Sequence, residues 1–352
     1  METDLVERAL REGTPLLDGE QATFVWQGPH PPRLIGDFNR WGGESALELH
    51  PVGPGLWART VHLPHDAYIE YAYVYDGRHV DDPFNRRSVG NGFGARNQYF
   101  HMPGAAPAPG IERERGHPLG RLTRHVVYAE HVLAGGKRDV YLYAPPVEDP
   151  TPLLVVLDGP DYLRRARLVR MVDNLIARGR IRPLALALVA NAGRNRYVEY
   201  ACNDATVGFL LGTVMRLARE RLNLVDVDRQ PGAYGVLGAS MGGLCALYMG
   251  LRTPGVFGHV LSQSGALALG PLGATGGEPV VFDLVRHLPP PPIRIWMDVG
   301  TYEPLLPANQ RMYALLRERG YDVTYREQHG GHNYMAWRDS VWRGLEALYG
   351  AG

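Results

Sequence analysis

The sequence is poor in cysteine: Cys202 and Cys245 are the only two in 352 residues. They stand far apart and in no metal-type spacing, which excludes a disulfide framework and suits a reducing compartment. Cys245 reads as a small buried residue. Neither sign of charge is in excess, because 37 Lys plus Arg balance 37 Asp plus Glu. Without a basic field nothing is aimed at a nucleic-acid backbone or an anionic lipid surface. Apolar runs long enough to span a bilayer are missing as well. The start, Met1 to Leu10, is an acidic amphipathic helix without the basic and apolar regions of a signal peptide. These absences lead us to expect a cytoplasmic protein with neither nucleic acid nor membrane as partner.

What is present is enough chain for two domains. Short alternating or aromatic-rich runs fill residues 20 to about 100, namely Thr23 to Gln27, Leu34-Ile35, Trp57 to Leu63 and Tyr68 to Tyr75. Gly, Pro and Asn-rich turns separate them, which predicts a small β-sandwich over residues 1–102. Trp26, Trp41 and Trp57 are expected in its core. Pro103 to Gly110 is stiff and lacks apolar periodicity, so residues 103–118 read as a linker. From 119 to 352 strand-like and helical runs alternate. The strands are 121–130, 139–143, 153–157, 184–190, 232–237, 256–262, 293–299 and 323–328; the helices are 162–176, 207–221, 309–319 and the segment after Ser240. This is the pattern of an α/β fold with a mostly parallel sheet entered through an antiparallel pair.

Gly238-Ala239-Ser240-Met241-Gly242, followed by Gly243, joins one of those strands to a helix. A serine at such a turn is a nucleophile elbow, and the flanking glycines are required because side chains there would collide with strand or helix. A hydroxyl is a poor nucleophile at neutral pH, so Ser240 needs a base and an acid to orient that base. The order Ser, acid, His is that of an α/β-hydrolase. His332, in a glycine-bearing loop past the last strand, is the general base, with His329 as rival. The acid should follow the preceding strand, where Glu303 lies in the loop at its C-terminal end and Asp298 sits within the strand. Two backbone N–H groups must meet the developing oxyanion. Met241 supplies one; the other falls to Gly159 or Asp161, because Pro160 has no N–H.

Gly36-Asp-Phe-Asn-Arg-Trp41, Gly55-Leu-Trp57 and Tyr75 to Asn85 resemble the early-set carbohydrate-binding module of glycogen-branching enzymes and of the AMP-activated kinase β subunit. Nearly the whole chain resembles the enterochelin esterase branch of the esterase-D-like α/β-hydrolases. The residues that carry this are Leu157-Asp-Gly159, Arg196 to Glu199 continuing to Cys202-Asn203, Gly238 to Gly243, Val299 to Pro304 and Gly330 to Trp337. The resemblance implies serine-dependent hydrolysis of an ester or lactone in the cytoplasm, without metal or other cofactor, on a trilactone siderophore in the best-known relatives. It also places Arg196, Glu199, Asn203, Asp158, Tyr302, Tyr334 and Trp337 at the substrate cleft. An Arg196–Glu199 ion pair that merely holds the loop is the plainer reading of those two. Pro160 and the segment Gly270 to Pro279 depart from the family pattern.

The expected activity is therefore that of a serine esterase or lactonase working through an acyl-enzyme on a small-molecule ester or lactone, with a homodimer as a partner arrangement to test. Acyl transfer, or another nonhydrolytic tailoring reaction, is the alternative that Pro160 motivates. A glycan-binding or scaffold protein with a vestigial site is the alternative that the sandwich motivates.

Overall fold

A computed structural model describes residues 2–92, 94–129, 132–270 and 277–351. The chain divides into two compact units. One comprises Met1–Pro107 with two later stretches, Gly300–Pro304 and Glu327–Ala336; the other comprises Ala108–Val299, Leu305–Arg326 and Trp337–Gly352. No described helix is long and apolar enough to cross a membrane.

The first unit opens with helix α1 (Glu2–Glu12) and continues as ten strands: β1 (Leu16–Asp18), β2 (Gln21–Gln27), β3 (Arg33–Gly36), β4 (Leu47–Glu48), β5 (His50–Gly53), β6 (Leu56–His62), β7 (Tyr68–Tyr75), β8 (Arg78–Val80), β9 (Ser88–Gly90) and β10 (Arg96–His101). They form two sheets, ordered β1-β2-β6-β5 and β4-β3-β7-β10-β9, with β8 paired to β7. Phe24, Leu34, Ile69, Tyr71, Tyr73 and Phe100 fill the space between, as alternation along the strands requires. Trp26 and Trp57 face each other across β2 and β6 and pack on this core. Their indole N–H groups go to the carbonyls of His30 and Gly28, each over 3.0 Å.

The second sheet system is built from β11 (Arg121–Tyr128), β12 (Lys137–Ala144), β13 (Leu153–Val156), β14 (Ala185–Val189), β15 (Tyr234–Ala239), β16 (Phe257–Gln263), β17 (Arg294–Gly300) and β18 (Asp322–Gln328). Their spatial order is β11-β12-β14-β13-β15-β16-β17-β18. The pairs β11–β12 and β12–β14 are antiparallel, and the pairings from β14 through β13, β15 and β16 to β17 are parallel. Every residue of β13, β14 and β15 is buried, the continuous apolar reading of strands covered on both faces. Helices α2 (Gly159–Arg164), α3 (Leu168–Ala177), α4 (Arg196–Tyr200), α5 (Asp204–Phe209), α6 (Met215–Arg221), α7 (Met241–Arg252), α8 (Val280–His287), α9 (Leu306–Glu318) and α10 (Tyr334–Tyr349) connect or follow the strands.

Three helical details differ from expectation. The run 162–176 is broken in two, with Arg167 at φ 52° between α2 and α3. The run 207–221 is interrupted by a π-turn over Leu210–Val214. Helix α10 was not anticipated: Trp337, Val341, Leu345 and Leu348 are buried along it, a helical spacing that makes one apolar stripe.

Candidate active site

Ser240 stands between β15 and α7 with φ 58° and ψ −122°, a strained conformation for a residue with a side chain. The surrounding glycines explain how the turn closes. A Cβ on Gly238 would lie 2.3 Å from the carbonyl oxygen of Gly242, and one on Gly243 would lie 2.9 Å from Oγ of Ser262. The strained backbone is fixed by its own hydrogen bonds. Ser240 N–H donates to the Gln263 carbonyl over 2.9 Å, and the Ser240 carbonyl accepts from Leu244 and Ala266 over 3.1 and 2.9 Å.

The loop after β13 runs alongside. Leu157 N–H donates to the Leu237 carbonyl over 2.8 Å. A Cβ on Gly242 would stand 3.1 Å from Oδ2 of Asp158. The connections from β13 lead to β14 on one side while β15 lies on the other, so the carboxyl ends of β13 and β15 open the crevice where open α/β sheets bind ligands. Gly159 and Met241 are the first residues of α2 and α7, positions whose N–H groups have no intrahelical acceptor. Pro160 falls in the first turn of α2, where its missing N–H costs nothing. Pro160 therefore leaves the N–H of Gly159 at the helix start without an intrahelical acceptor. Gly159 must be glycine: a Cβ there would lie 2.3 Å from the backbone of Leu188.

Asp158 and Arg196 brace this corner. Asp158 is 1% exposed and receives Nε and Nη2 of Arg196 over 2.8 and 2.6 Å, with Nδ2 of Asn191 at 2.6 Å. The same Nη2 donates to the Ala239 carbonyl over 2.9 Å. Glu199 instead is buried against Arg138 and accepts the N–H of Ala134 over 3.0 Å. The two residues thus go to different partners, which replaces the local pair expected from their spacing. Arg138 was missed in the sequence; an arginine in a strand otherwise rich in apolar residues was its only signal. Asn203 caps α5, accepting from Ala205 N–H over 2.8 Å.

Asp298 is buried among donors: Nε2 of Gln263 at 3.1 Å, Nε1 of Trp296 at 3.1 Å and Oγ of Ser340 at 2.9 Å. Trp337, expected at the cleft, is 4% exposed and its indole N–H donates to Oγ of Ser264 over 2.8 Å. Its place in the stripe of α10 makes it a packing residue. Cys245 is buried in α7, and burial pushes its thiol well above the usual range.

Within the other unit, Nδ1 of His332 is 2.6 Å from Oε2 of Glu303, and Glu303 is 1% exposed. Oε1 of Glu303 accepts the N–H of Gly300 over 2.8 Å. His329 turns to the exposed Asp66, Nδ1 to Oδ1 over 2.6 Å, while its carbonyl accepts from Tyr68 N–H over 2.9 Å. Of the two candidate histidines only His332 meets a buried carboxylate among the described residues. Tyr302 packs on the sandwich core, and Tyr334 begins α10. In the departing segment Gly270 to Pro279, residues 271–276 lie outside the described residues.

The family described as "Putative esterase" matches residues 132–348. An iron(III) enterobactin esterase of Escherichia coli O6:H1 is 27% identical over 274 residues, covering 77% of this chain and 67% of that one. An iron(III) salmochelin esterase of the same organism is 28% identical over 375 residues, covering 95% of this chain and 88% of that one. Among solved structures, the ferric enterobactin esterase of Salmonella typhimurium has a TM-score of 0.77 at 23% identity over 93% of each chain, which is a likeness of fold.

Proposed function

We propose, for a chain that belongs to the Esterase family and is a carboxylic ester hydrolase, that Ser240 is the nucleophile, His332 the general base and Glu303 the acid that orients it. The observation that carries this reading is the 2.6 Å contact between Nδ1 of His332 and Glu303. With the proton on Nδ1 committed to a carboxylate, the lone pair that accepts a proton is on Nε2. In the first half-reaction Ser240 Oγ forms the bond to the acyl carbon and its proton passes to Nε2 of His332. The N–H groups of Met241 and Gly159 meet the oxyanion. Collapse breaks the ester C–O bond, and the imidazolium returns the proton to the leaving alcohol. Water then repeats the sequence on the acyl-enzyme.

The substrate we infer is a siderophore ester or lactone, on the strength of the relatives named for iron(III) enterobactin and iron(III) salmochelin. Tyr302 and Tyr334 are the side chains we assign to its aromatic groups; Asp158, Arg196, Glu199 and Asn203 serve the site by bracing its loops. We further propose residues 1–102 and 119–352 as domains joined by 103–118, the cytoplasm as compartment, and no cofactor. A homodimer is tested by light scattering on the purified protein. The indole N–H groups of Trp26 and Trp57 go to the carbonyls of His30 and Gly28.

The test is a fluorophosphonate adduct together with hydrolysis of enterobactin, iron-loaded and iron-free, followed by chromatography. Labelling confined to Ser240, and loss of product in Ser240→Ala, is the expected result. An adduct elsewhere, or turnover that survives Ser240→Ala, overturns the nucleophile; intact enterobactin beside rapid cleavage of simple esters overturns the substrate.

A further inference from the structure

A carboxyl from the sandwich reaches the loop that carries His332. Asp37 lies in the single helical turn Asp37–Asn39 after β3 and is 2% exposed. Its Oδ1 accepts the indole N–H of Trp41 over 2.9 Å, and its Oδ2 accepts the backbone N–H of Glu70 over 2.8 Å. Nδ2 of Asn333 approaches the same Oδ2 at 3.4 Å. Gly331 is pressed so closely on the carboxyl that a Cβ there would stand 2.0 Å from Oδ1. Residues 331 and 333 are the two neighbours of His332, so Asp37 abuts the chain on both sides of the imidazole. The loop is also tied by Tyr302 N–H to the Gly330 carbonyl over 3.3 Å, on the stretch that bears Glu303.

We propose that Asp37 is a positioning residue for the general base: its carboxyl sets the height of the segment Gly331-His332-Asn333 and thereby the aim of the imidazole. This rests on the reading of His332 as the base. Catalysis is sensitive to such placement, since a displacement of about 1 Å can cost on the order of 100-fold in rate.

The charge state fits the role. Burial first, then the charge of Glu70, push Asp37 up to about 8, with Glu303 adding to the rise and the N–H donors of Glu70 and Trp41 opposing it. The groups around it are Glu70 on β7, Glu303 and Tyr302 on the stretch 300–304, and His332 on the abutting loop. The Tyr302 phenol is pushed up to about 12 by burial, with the charges of Asp37 and Asp66 adding. At neutral pH Asp37 is thus an uncharged carboxyl. It can hold the loop without placing a second negative charge beside Glu303. Above its titration point that charge arrives beside Glu70 and Glu303.

The experiment compares the full-length protein with Asp37→Ala, Asp37→Asn and Gly331→Ala. Hydrolysis of p-nitrophenyl butyrate gives kcat and KM from pH 5 to 10. Asp37→Ala is expected to lower kcat by roughly 10 to 100-fold with KM within about 3-fold. Asp37→Asn should recover most of that loss, and its kcat should lack the change near pH 8 expected of the native protein as Asp37 ionises. Should Asp37→Ala fail to fold, Gly331→Ala displaces the loop from the other side. It should show the same kcat loss with KM within about 3-fold. Folded variants with native kcat and a native pH profile of kcat overturn the proposal. Turnover that survives His332→Gln overturns the general-base reading instead. An inactive His332→Gln beside unaffected Asp37 variants defeats only the inference drawn here.

Discussion

Glu303 holds His332 with one carboxylate oxygen and the N–H of Gly300 with the other, over 2.6 and 2.8 Å. The carboxylate that we propose as the acid is therefore fixed in direction by the Gly300 N–H. Glu303→Gln keeps the shape but can offer an N–H to Nδ1, which favours the wrong tautomer. We expect kcat to fall by about 100 to 10,000-fold with little change in KM, measured with a chromogenic ester. Asp298→Asn, by contrast, should leave most of kcat and lower the melting temperature, because three donors converge on that carboxylate. Reversal of the two phenotypes would make Asp298 the acid.

Gly159→Ala brings a methyl to within 2.3 Å of the Leu188 backbone. Backbone cannot rotate aside as a side chain can, so the first turn of α2 must move and take its N–H with it. Loss of one oxyanion donor costs about 100 to 1,000-fold in kcat. Circular dichroism should still report a folded protein. A Gly159→Ala enzyme of native kcat would remove this N–H from the mechanism.

Arg196→Ala leaves the carboxylate of Asp158 buried without its bidentate partner, and also frees the Ala239 carbonyl beside Ser240. Breaking such a pair costs about 3 to 5 kcal/mol when both members are buried; the Arg196 side chain is 25% exposed, so a smaller loss, about 2 kcal/mol, is expected after screening. Urea denaturation measures it. Arg196→Lys should restore only part, since one ammonium cannot reproduce the planar fork.

Stability should carry the signature of Asp37. Its folded pKa is raised from 3.8 to about 8, so in the unfolded chain it ionises first. The contribution is complete below about pH 4 and is lost as pH climbs to about 8. Asp37→Asn lacks this titration. The difference in melting temperature, variant minus native, should therefore rise across that window and level above it. A flat difference would mean that Asp37 is already ionised in the folded protein at neutral pH.

Much of the catalytic strand order was legible in the sequence because the chemistry constrains local residues. A serine at positive φ between a strand and a helix demands Gly238, Gly242 and Gly243, and these are visible as letters. The placement of Glu303 and His332 beyond successive strands was legible for the same reason. Asp37 was not, because its meaning depends on a loop 294 positions away that the Gly36 to Trp41 motif cannot announce; the doubled glycine beside His332 was the one local hint. Trp337 misled because an aromatic after a catalytic histidine suggests a cleft wall. The spacing to Val341 and Leu345 carried the better reading, a helix with its indole turned inward. The break at Arg167, at φ 52°, comes without any Gly or Pro in Tyr162 to Ile176 to announce it.

The compact unit that begins at Met1 is completed by two short returns of the chain from far downstream, Gly300–Pro304 and Glu327–Ala336. Its boundary in space is thus not a cut point in the gene. A fragment begun at Ala108 would inherit the serine, the glutamate and the histidine as letters while losing the scaffold on which the latter two are seated. Grafting the sandwich of another enzyme onto this chain would likewise replace the seat of those two side chains, so modular exchange here should be judged by turnover rather than by solubility.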